Sequence, residues 1–198
     1  MQNDIHFIGI DPSLAETGIV VLNSKGEMVH QRLCKTKSSK ELNKFPINEY
    51  SRMQKIIAQI DDVLSQFSPF IVALEGISLS SRNTNVLAQL CGLNYLIRNY
   101  CYGIIMSEKT QNFYIVPPTS LKKFVTGKGN CQKDLILLEI YKRYKISFDN
   151  NNLADAYGLS KIGEALINKD VVLTKPQGEV IDMLKKQYEK NDEKESGN

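Results

Sequence analysis

Three carboxylates stand where predicted apolar elements begin or end. Asp11 closes the first predicted strand, Glu75 follows the apolar run 70–74, and Asp155 lies in the first turn of the last predicted core helix. If the first and fourth strands are adjacent and parallel, Asp11 and Glu75 meet at one edge of the sheet. A helix docked across that edge would add Asp155, and with it Asn152, one turn earlier on the same helical face.

Such a cluster indicates divalent-cation chemistry. Carboxylates that are forced within a few ångströms of one another repel unless a cation lies between them. Oxygen-only ligands with room for water suit Mg²⁺, or Mn²⁺ in its place. Two such ions about 4 Å apart would bracket a phosphate, one activating water and the other stabilising the leaving oxygen. The residue types therefore point to phosphodiester hydrolysis.

Each carboxylate also has an ordinary structural explanation. Asp11 would cap a turn, Glu75 would be an exposed strand end, and the helix dipole would favour Asp155 near a helix start. Taken singly, each structural explanation is the commoner one. All three acids stand beside buried apolar runs, and that combination is harder to explain by chance. We therefore favour a shared cation site.

The positive charge of the chain is concentrated in one segment. The net charge is only +3. Between Pro118 and Lys145, however, the chain has seven basic residues and only two acidic ones, Asp134 and Glu139. The seven are Lys122, Lys123, Lys128, Lys133, Lys142, Arg143 and Lys145. This excess predicts a phosphate-binding segment, with a solvated helix face as the alternative.

The elements that must position these residues follow from the spacing of apolar residues. Strands are predicted at 5–10, 18–23, 27–34, 70–74 and 113–116. Helices are predicted at 47–67, 84–101, from Thr119 or Ser120 through 124, at 132–144 and at 151–168. The first three strands form an antiparallel meander and helical crossovers join the later ones, which predicts a mixed α/β sheet. The polar segment 35–46 is predicted to be a mobile loop.

Length and composition predict one soluble domain. The chain has 198 residues, of which 42% are hydrophobic and 24% charged, which suits a single cored domain. We place that domain at 1–174, followed by a charged tail at 175–198, flexible or forming a frayed helix, where five Lys stand beside six acidic residues. No apolar run is long enough to cross a bilayer and no signal peptide is apparent, so we expect a cytoplasmic protein without membrane contact. The four cysteines show no CxxC spacing and are expected to be buried free thiols.

Four motifs of this chain resemble those of the RuvC-like Holliday junction resolvases, and most closely the compact members that phages encode. The motifs are IGIDPSLAETG, IVALEGIS, PPTSLKKFVTGKGNCQKD and NNLADAYGL, and in this order they reach from about residue 8 to residue 165. The resemblance implies the ribonuclease H-like fold, a mixed five-stranded sheet flanked by helices. It also implies a homodimeric, Mg²⁺-dependent endonuclease that resolves four-way DNA junctions by paired nicks, and leaves open whether other branched DNA is cut.

The resemblance assigns the acidic residues a role and marks one departure. The residues that match the family's catalytic metal ligands are Asp11, Glu75 and Asp155. The family usually has a fourth ligand three residues before the last of these, commonly Asp and in some members His, and this chain has Asn152 there. An Asn coordinates through its carbonyl oxygen but brings no charge, so either the second metal would bind more weakly or Asp149 or Asn151 would assist it.

The resemblance also assigns the basic segment a role. Lys122 and Lys133 match the family's two functional lysines, and the Gly-x-Gly turn lies between them. The residues expected to contact DNA phosphates are Lys122, Lys123, Lys128 and Lys133, with the turn residues Gly127 and Gly129. The aromatic residue that follows the Glu motif in some relatives is absent, because Ser78 and Leu79 occupy that region. Sequence preference at the cut site is therefore open.

Three other functions compete with the nuclease. A catalytically weak or silent junction-binding protein is motivated by Asn152, and an RNA-processing nuclease shares the fold. An actin-like ATP-binding kinase or ATPase shares the topology, but its turn normally carries Gly where this chain has Ser13. For the homodimer that paired nicking requires, we nominate the helix 84–101 as the interface, with core packing as the alternative explanation of its apolar residues.

Overall fold

The computed structural model of the protein describes residues 5–37, 47–78, 83–108 and 112–195. The strands are β1 (His6–Asp11), β2 (Glu16–Leu22), β3 (Met28–Lys35), β4 (Phe70–Glu75) and β5 (Phe113–Val116). The helices are α1 (Ile47–Leu64), α2 (Thr84–Glu108), α3 (Pro118–Thr126), α4 (Lys133–Tyr144), α5 (Asn151–Ile167) and α6 (Lys175–Glu195). No helix in these ranges is both long and apolar enough to span a membrane. Most of the predicted loop 35–46 lies outside the described residues.

The five strands form one mixed sheet in the order β3-β2-β1-β4-β5. β1 pairs antiparallel with β2, which pairs antiparallel with β3, whereas β4 is parallel to both β1 and β5. The predicted antiparallel meander with parallel later strands is thus confirmed. In the parallel pair, Ile10 lies opposite Leu74. The next residue of each strand is a carboxylate, Asp11 or Glu75, so both stand at the same edge of the sheet.

Helices cover both faces of the sheet. Alternate strand residues point to opposite faces, and Ile8, Ile10 and Val72 lie in a core with α1 and α2. Phe7 and Ala73 lie in the opposite core, which α3, α4, α5 and α6 complete. By the same alternation, Asp11 and Glu75 point towards the α5 side. Burial on both faces explains why the central strands are apolar without interruption.

The helix at Asn151–Ile167 approaches the sheet backbone to backbone. A Cβ added to Gly9 would lie 1.9 Å from the carbonyl oxygen of Ala156, and one added to Gly18 would lie 2.2 Å from that of Asn152. A Cβ added to Gly158 would lie 2.8 Å from side-chain atoms of α3. The three glycines therefore let the sheet, α5 and α3 meet closely. This packing sets the position of every residue on α5 relative to β1.

Several helix boundaries differ from the predicted ones. The helix predicted at 84–101 continues to Glu108, through Gly103, whereas the one predicted to end at 67 stops at Leu64. α3 begins at Pro118, and neither Thr119 nor Ser120 caps it. Pro suits the first helical position because its fixed φ is already helical and its missing N–H is not needed there.

Residues Lys175–Glu195 form a long helix where the sequence analysis expected a flexible tail or a frayed helix. Val180, Ile181 and Leu184 of α6 are buried against the rest of the protein. The backbone N–H of Ile115 donates to the hydroxyl oxygen of Tyr188 at 2.5 Å, so α6 also covers the outer edge of β5. The apolar stripe of α6 is narrow and lies among many charges, which made this helix resemble a solvated segment.

The four cysteines are free, as predicted, but only two of them, Cys34 and Cys101, are buried as expected. Burial raises the pKa of the Cys34 thiol to about 11 and that of Cys101 to about 12. Cys91 and Cys131 are half-buried. Since the two buried thiols stay protonated at neutral pH, they act as small apolar side chains of the core.

Candidate active site

A cleft of about 560 Å³ opens at the edge of the sheet where β1 and β4 end. Five of the residues singled out from the sequence line it: Asp11, Glu75, Lys122, Asn152 and Asp155. They come from two strands and two helices that are far apart in the chain. The fold therefore brings the three carboxylates to one cleft together with Lys122, one of the two lysines predicted to be functional.

Two of the carboxylates are buried, and hydrogen bonds hold the backbone at the third. Asp11 and Asp155 are 6% and 8% exposed, and Glu75 is half-buried. The buried Asn94 of α2 donates its side-chain N–H to the carbonyl oxygen of Glu75 at 2.8 Å. The N–H of Gly76 donates to the carbonyl oxygen of Val116, also at 2.8 Å. The end of β4 is thus held from both sides.

Asn152 is fixed by the start of its own helix and by β2. Its backbone N–H donates to the side-chain oxygen of Asn150, the N-cap residue, at 2.8 Å. Its Nδ2 donates to the carbonyl oxygen of Glu16 at 2.5 Å, and Asn150 Nδ2 donates to Glu16 Oε2 at 2.7 Å. With Nδ2 engaged in this way, the carbonyl oxygen is the side-chain atom that Asn152 offers to a cation.

The donor set suits a hard divalent cation, because carboxylate and amide oxygens are the protein ligands that Mg²⁺ prefers. In the described ranges, however, no three His, Cys, Asp or Glu side chains are close enough together to hold a metal ion. The carboxylates surround the cleft without converging on one point, which differs from the tight cluster that the sequence analysis expected. Asp149 and Asn151, the expected helpers, are absent from the cleft lining.

The basic residues divide into different surroundings. Lys122 lines the cleft, whereas Lys123 Nζ lies 2.7 Å from Glu179 Oε2 on α6. The hydrogen bond from Lys123, together with its charge, lowers the pKa of the Glu179 carboxyl. Lys128 is exposed beyond the end of α3. Lys133 begins α4, and its side chain lies outside the described part of the structure.

The two turn glycines have structural roles of their own. Gly127 has a φ of 80° and donates its N–H to the carbonyl oxygen of Lys123, so it ends α3 in the left-handed conformation that favours glycine. A Cβ on Gly129 would lie 3.3 Å from the carbonyl oxygen of Thr119. The turn therefore folds back onto α3, and contact of either glycine with DNA stays a prediction.

Two further polar residues that were not singled out from the sequence also line the cleft, Arg52 of α1 and Gln89 of α2. Arg52 lies one turn before Ile56 and two before Ile60, both fully buried. A charged residue on the apolar stripe of a helix is a signal that could have identified it. Ser78 also lines the cleft, whereas Leu79 lies outside the described residues.

We expect Glu179→Gln to tighten binding to a four-way DNA junction by about two- to fivefold at low salt, because it releases Lys123 for a phosphate. Fluorescence anisotropy with a labelled junction in EDTA measures this. Since Lys123 lowers the pKa of Glu179, the ion pair persists at neutral pH and is lost as the pH falls through that lowered value. The variant and the wild type should then converge in acid.

The matched control is Glu189→Gln, which removes the same charge from an exposed position further along α6. It should change junction affinity much less than Glu179→Gln. Equal effects of the two substitutions would mean that only the total charge matters, and that the ion pair with Lys123 does not.

Comparisons with known proteins agree with this architecture. The family described as "Crossover junction endodeoxyribonuclease RuvC" matches residues 7–160. Two curated proteins of that name are similar to this chain. That of Brachyspira hyodysenteriae is 24% identical over 159 residues, 77% of this chain and 89% of the relative. That of Orientia tsutsugamushi strain Ikeda is 28% identical over 165 residues, which cover 77% of this chain and 93% of the relative.

A solved structure shares the fold. The Thermus thermophilus RuvC in complex with a Holliday junction substrate superposes with a TM-score of 0.59 at 21% identity, covering 78% of this chain and 90% of that one. The mixed sheet and its helices thus have the fold of that protein. The chain belongs to the RuvC family of crossover junction endodeoxyribonucleases. The predicted family and fold are confirmed, and the closeness to phage-encoded members stays a prediction.

Proposed function

We propose that this protein is a structure-selective endonuclease that resolves four-way DNA junctions, as a homodimer that makes paired nicks with Mg²⁺ or Mn²⁺ as cofactor. The observation that carries the proposal is the single cleft that Asp11, Glu75, Asp155 and Lys122 line. Membership in the RuvC family supports the reaction class and the branched DNA substrate. A cytoplasmic location and a phage origin belong to the same proposal.

The proposed reaction is hydrolysis of one DNA phosphodiester bond per active site. Mg²⁺, held by carboxylates of the cleft that draw closer together around it and by the carbonyl oxygen of Asn152, would supply a water of lowered pKa and positive charge for the phosphate. A water oxygen bonds to phosphorus as the bond to the 3′ oxygen breaks, which leaves a 5′ phosphate and a 3′ hydroxyl. Lys122 and Lys133 would balance the charge that grows on this phosphate, and Lys123 and Lys128 would contact neighbouring phosphates.

For the dimer, we propose that α2 forms the contact between two copies. Tyr95 and Tyr102, two turns apart on this helix, are 62% and 60% exposed. The guanidinium of Arg98 lies 4.9 Å from the centre of the Tyr95 ring. Exposed Tyr and Arg are typical of interface centres, and a four-way junction needs two symmetric sites. Light scattering that finds only monomer at micromolar concentration would contradict paired incision.

The deciding experiment incubates the purified protein with a labelled four-way junction, a linear duplex and a structured RNA, each with Mg²⁺, Mn²⁺ or EDTA. The expected result is metal-dependent, paired nicking of the junction alone. Cleavage of the RNA would favour an RNA-processing nuclease. Nucleotide binding in a calorimeter would favour an ATP-binding protein.

A junction-binding protein without turnover is the second candidate. Two observations favour it. Position 152 is a neutral Asn, and among the described residues no three His, Cys, Asp or Glu side chains are close enough together to hold a metal ion. Binding to the junction without cleavage in any metal would establish this candidate and refute the nuclease.

We expect Asn152→Asp to lower the free energy of unfolding by about 1–3 kcal/mol in EDTA. The substitution replaces the Nδ2 donor with a carboxylate oxygen that faces the carbonyl oxygen of Glu16. Mg²⁺ should restore part of the loss, because the new carboxylate then gains a cation. Chemical denaturation with and without Mg²⁺ measures both effects. A variant as stable as the wild type in EDTA would show that the hydrogen bond to Glu16 contributes little.

A further inference from the structure

The loop that follows Asp11 forms one wall of the cleft, since residues 12–15 all line it. Within the loop, the N–H of Ser13 donates to Thr17 Oγ1 at 3.1 Å, and this hydroxyl donates to the carbonyl oxygen of Ser13 at 2.6 Å. From outside, Thr36 donates its backbone N–H to the carbonyl oxygen of Ala15 at 2.9 Å. The Thr36 hydroxyl donates to the carbonyl oxygen of Leu14. The end of β3 therefore supports the loop.

Arg52 of α1 holds the same loop from the other side. Its Nη2 donates to the carbonyl oxygen of Leu14 at 2.9 Å, and its Nε donates to Thr36 Oγ1 at 3.0 Å. One planar guanidinium thus joins α1, the end of β3 and the loop after Asp11. Arg52 also lines the cleft, and no ion pair recorded among the described residues includes it.

A second arginine joins β3 to α1 without reaching the cleft. Arg32 Nη1 lies 2.5 Å from Asp62 Oδ2 and 3.4 Å from the carbonyl oxygen of Gln59, both near the end of α1. The cleft lining does not include Arg32. Both arginines therefore connect β3, or the residue just after it, to α1. Of the two arginines, only Arg52 donates a hydrogen bond to the loop that follows Asp11.

We propose that Arg52 is a positioning residue for the reaction: its two donors fix the loop after Asp11, and with it the orientation of the Asp11 carboxylate in the cleft. This inference rests on the proposed function of that cleft. Lys at position 52 would keep the charge but lacks the rigid fork that reaches Leu14 and Thr36 together. Displacing a reacting group by about 1 Å costs on the order of 10²-fold in rate.

The test compares Arg52→Lys with Arg32→Lys, which makes the same chemical change between the same strand and helix. Single-turnover cleavage of the junction in Mg²⁺ should be about 10²-fold slower in Arg52→Lys and unchanged in Arg32→Lys. Junction affinity in EDTA should stay within about twofold of the wild type in both. Mn²⁺ binding to the DNA-free protein, measured by calorimetry, should weaken about tenfold in Arg52→Lys only.

Three outcomes would overturn the inference. Arg52→Lys could cleave and bind Mn²⁺ like the wild type while Arg52→Gln loses both. Arg52 would then act only through its positive charge. Equal losses in Arg52→Lys and Arg32→Lys, with matching falls in thermal stability, would assign it a general structural role. If the wild type binds Mn²⁺ but cuts nothing, the proposed function fails. In that case Mn²⁺ binding still tests the role of Arg52, and unchanged Mn²⁺ binding in Arg52→Lys refutes it.

Discussion

Asp11→Asn is expected to lower the rate of junction cleavage by about 10³-fold, the upper range for removing one charge-stabilising group from an active site. The reason is that an amide keeps the shape of the Asp11 side chain but removes its negative charge from the cleft that Glu75 and Asp155 also line. Because no phosphate contact is changed, binding to the junction should persist. Single-turnover cleavage in Mg²⁺ and anisotropy in EDTA measure the two quantities.

Asp149→Asn serves as the control for this prediction. Asp149 is exposed and does not line the cleft, although it lies only a few residues from Asn152. The control should cleave at the wild-type rate. Cleavage by Asp11→Asn at a rate close to that of the wild type would remove Asp11 from the active site.

Gly9→Ala is expected to lower the free energy of unfolding by about 3 kcal/mol or more, at or above the usual cost of overpacking. The new Cβ would lie 1.9 Å from the carbonyl oxygen of Ala156 and 2.5 Å from the backbone nitrogen of Ser160. Backbone atoms in the middle of a helix cannot move aside as the end of a side chain can, so α5 must shift away from β1. That shift would carry Asp155 away from Asp11. Urea denaturation gives the stability, and the cleavage assay gives the activity.

Gly178→Ala is the matched substitution for Gly9→Ala. A Cβ at this position of α6 has nothing within 4 Å. Alanine should therefore leave the stability unchanged or raise it by up to about 1 kcal/mol, since it is the better helix former. If Gly9→Ala were as stable as Gly178→Ala, the close contact between α5 and β1 would not be a determinant of the fold.

From the sequence, Asp11 and Glu75 meet only on the condition that the first and fourth strands are adjacent and parallel, and the apolar runs before them favour that pairing. Such runs indicate central strands that are buried on both faces, and helical crossovers between them imply parallel pairing. The position of Asp155 followed from the same reasoning plus helical periodicity. These inferences need only the period of each element and the order of elements along the chain.

Other features depend on contacts that no local pattern contains. The ion pair between Lys123 and Glu179 joins two helices that are distant in sequence, so Lys123 was assigned to DNA alone. For α6 only a flexible tail or a frayed helix was expected, because its buried residues are few and its charges many. The two hydrogen bonds that Arg52 donates depend on the positions of Leu14 and Thr36. Those positions are known only once α1 and β3 are packed together.

The helix at Lys175–Glu195 has a consequence for how much of the chain must be kept together. The family match ends at residue 160, yet the hydroxyl of Tyr188, well beyond that point, accepts the outward N–H of Ile115 on the last strand of the sheet. In a chain cut after residue 160, β5 would lose this partner and expose unpaired backbone groups along its outer side. A strand from another molecule can add to such an edge. The C-terminal helix thus covers part of a sheet edge that would otherwise be open to pairing with another chain.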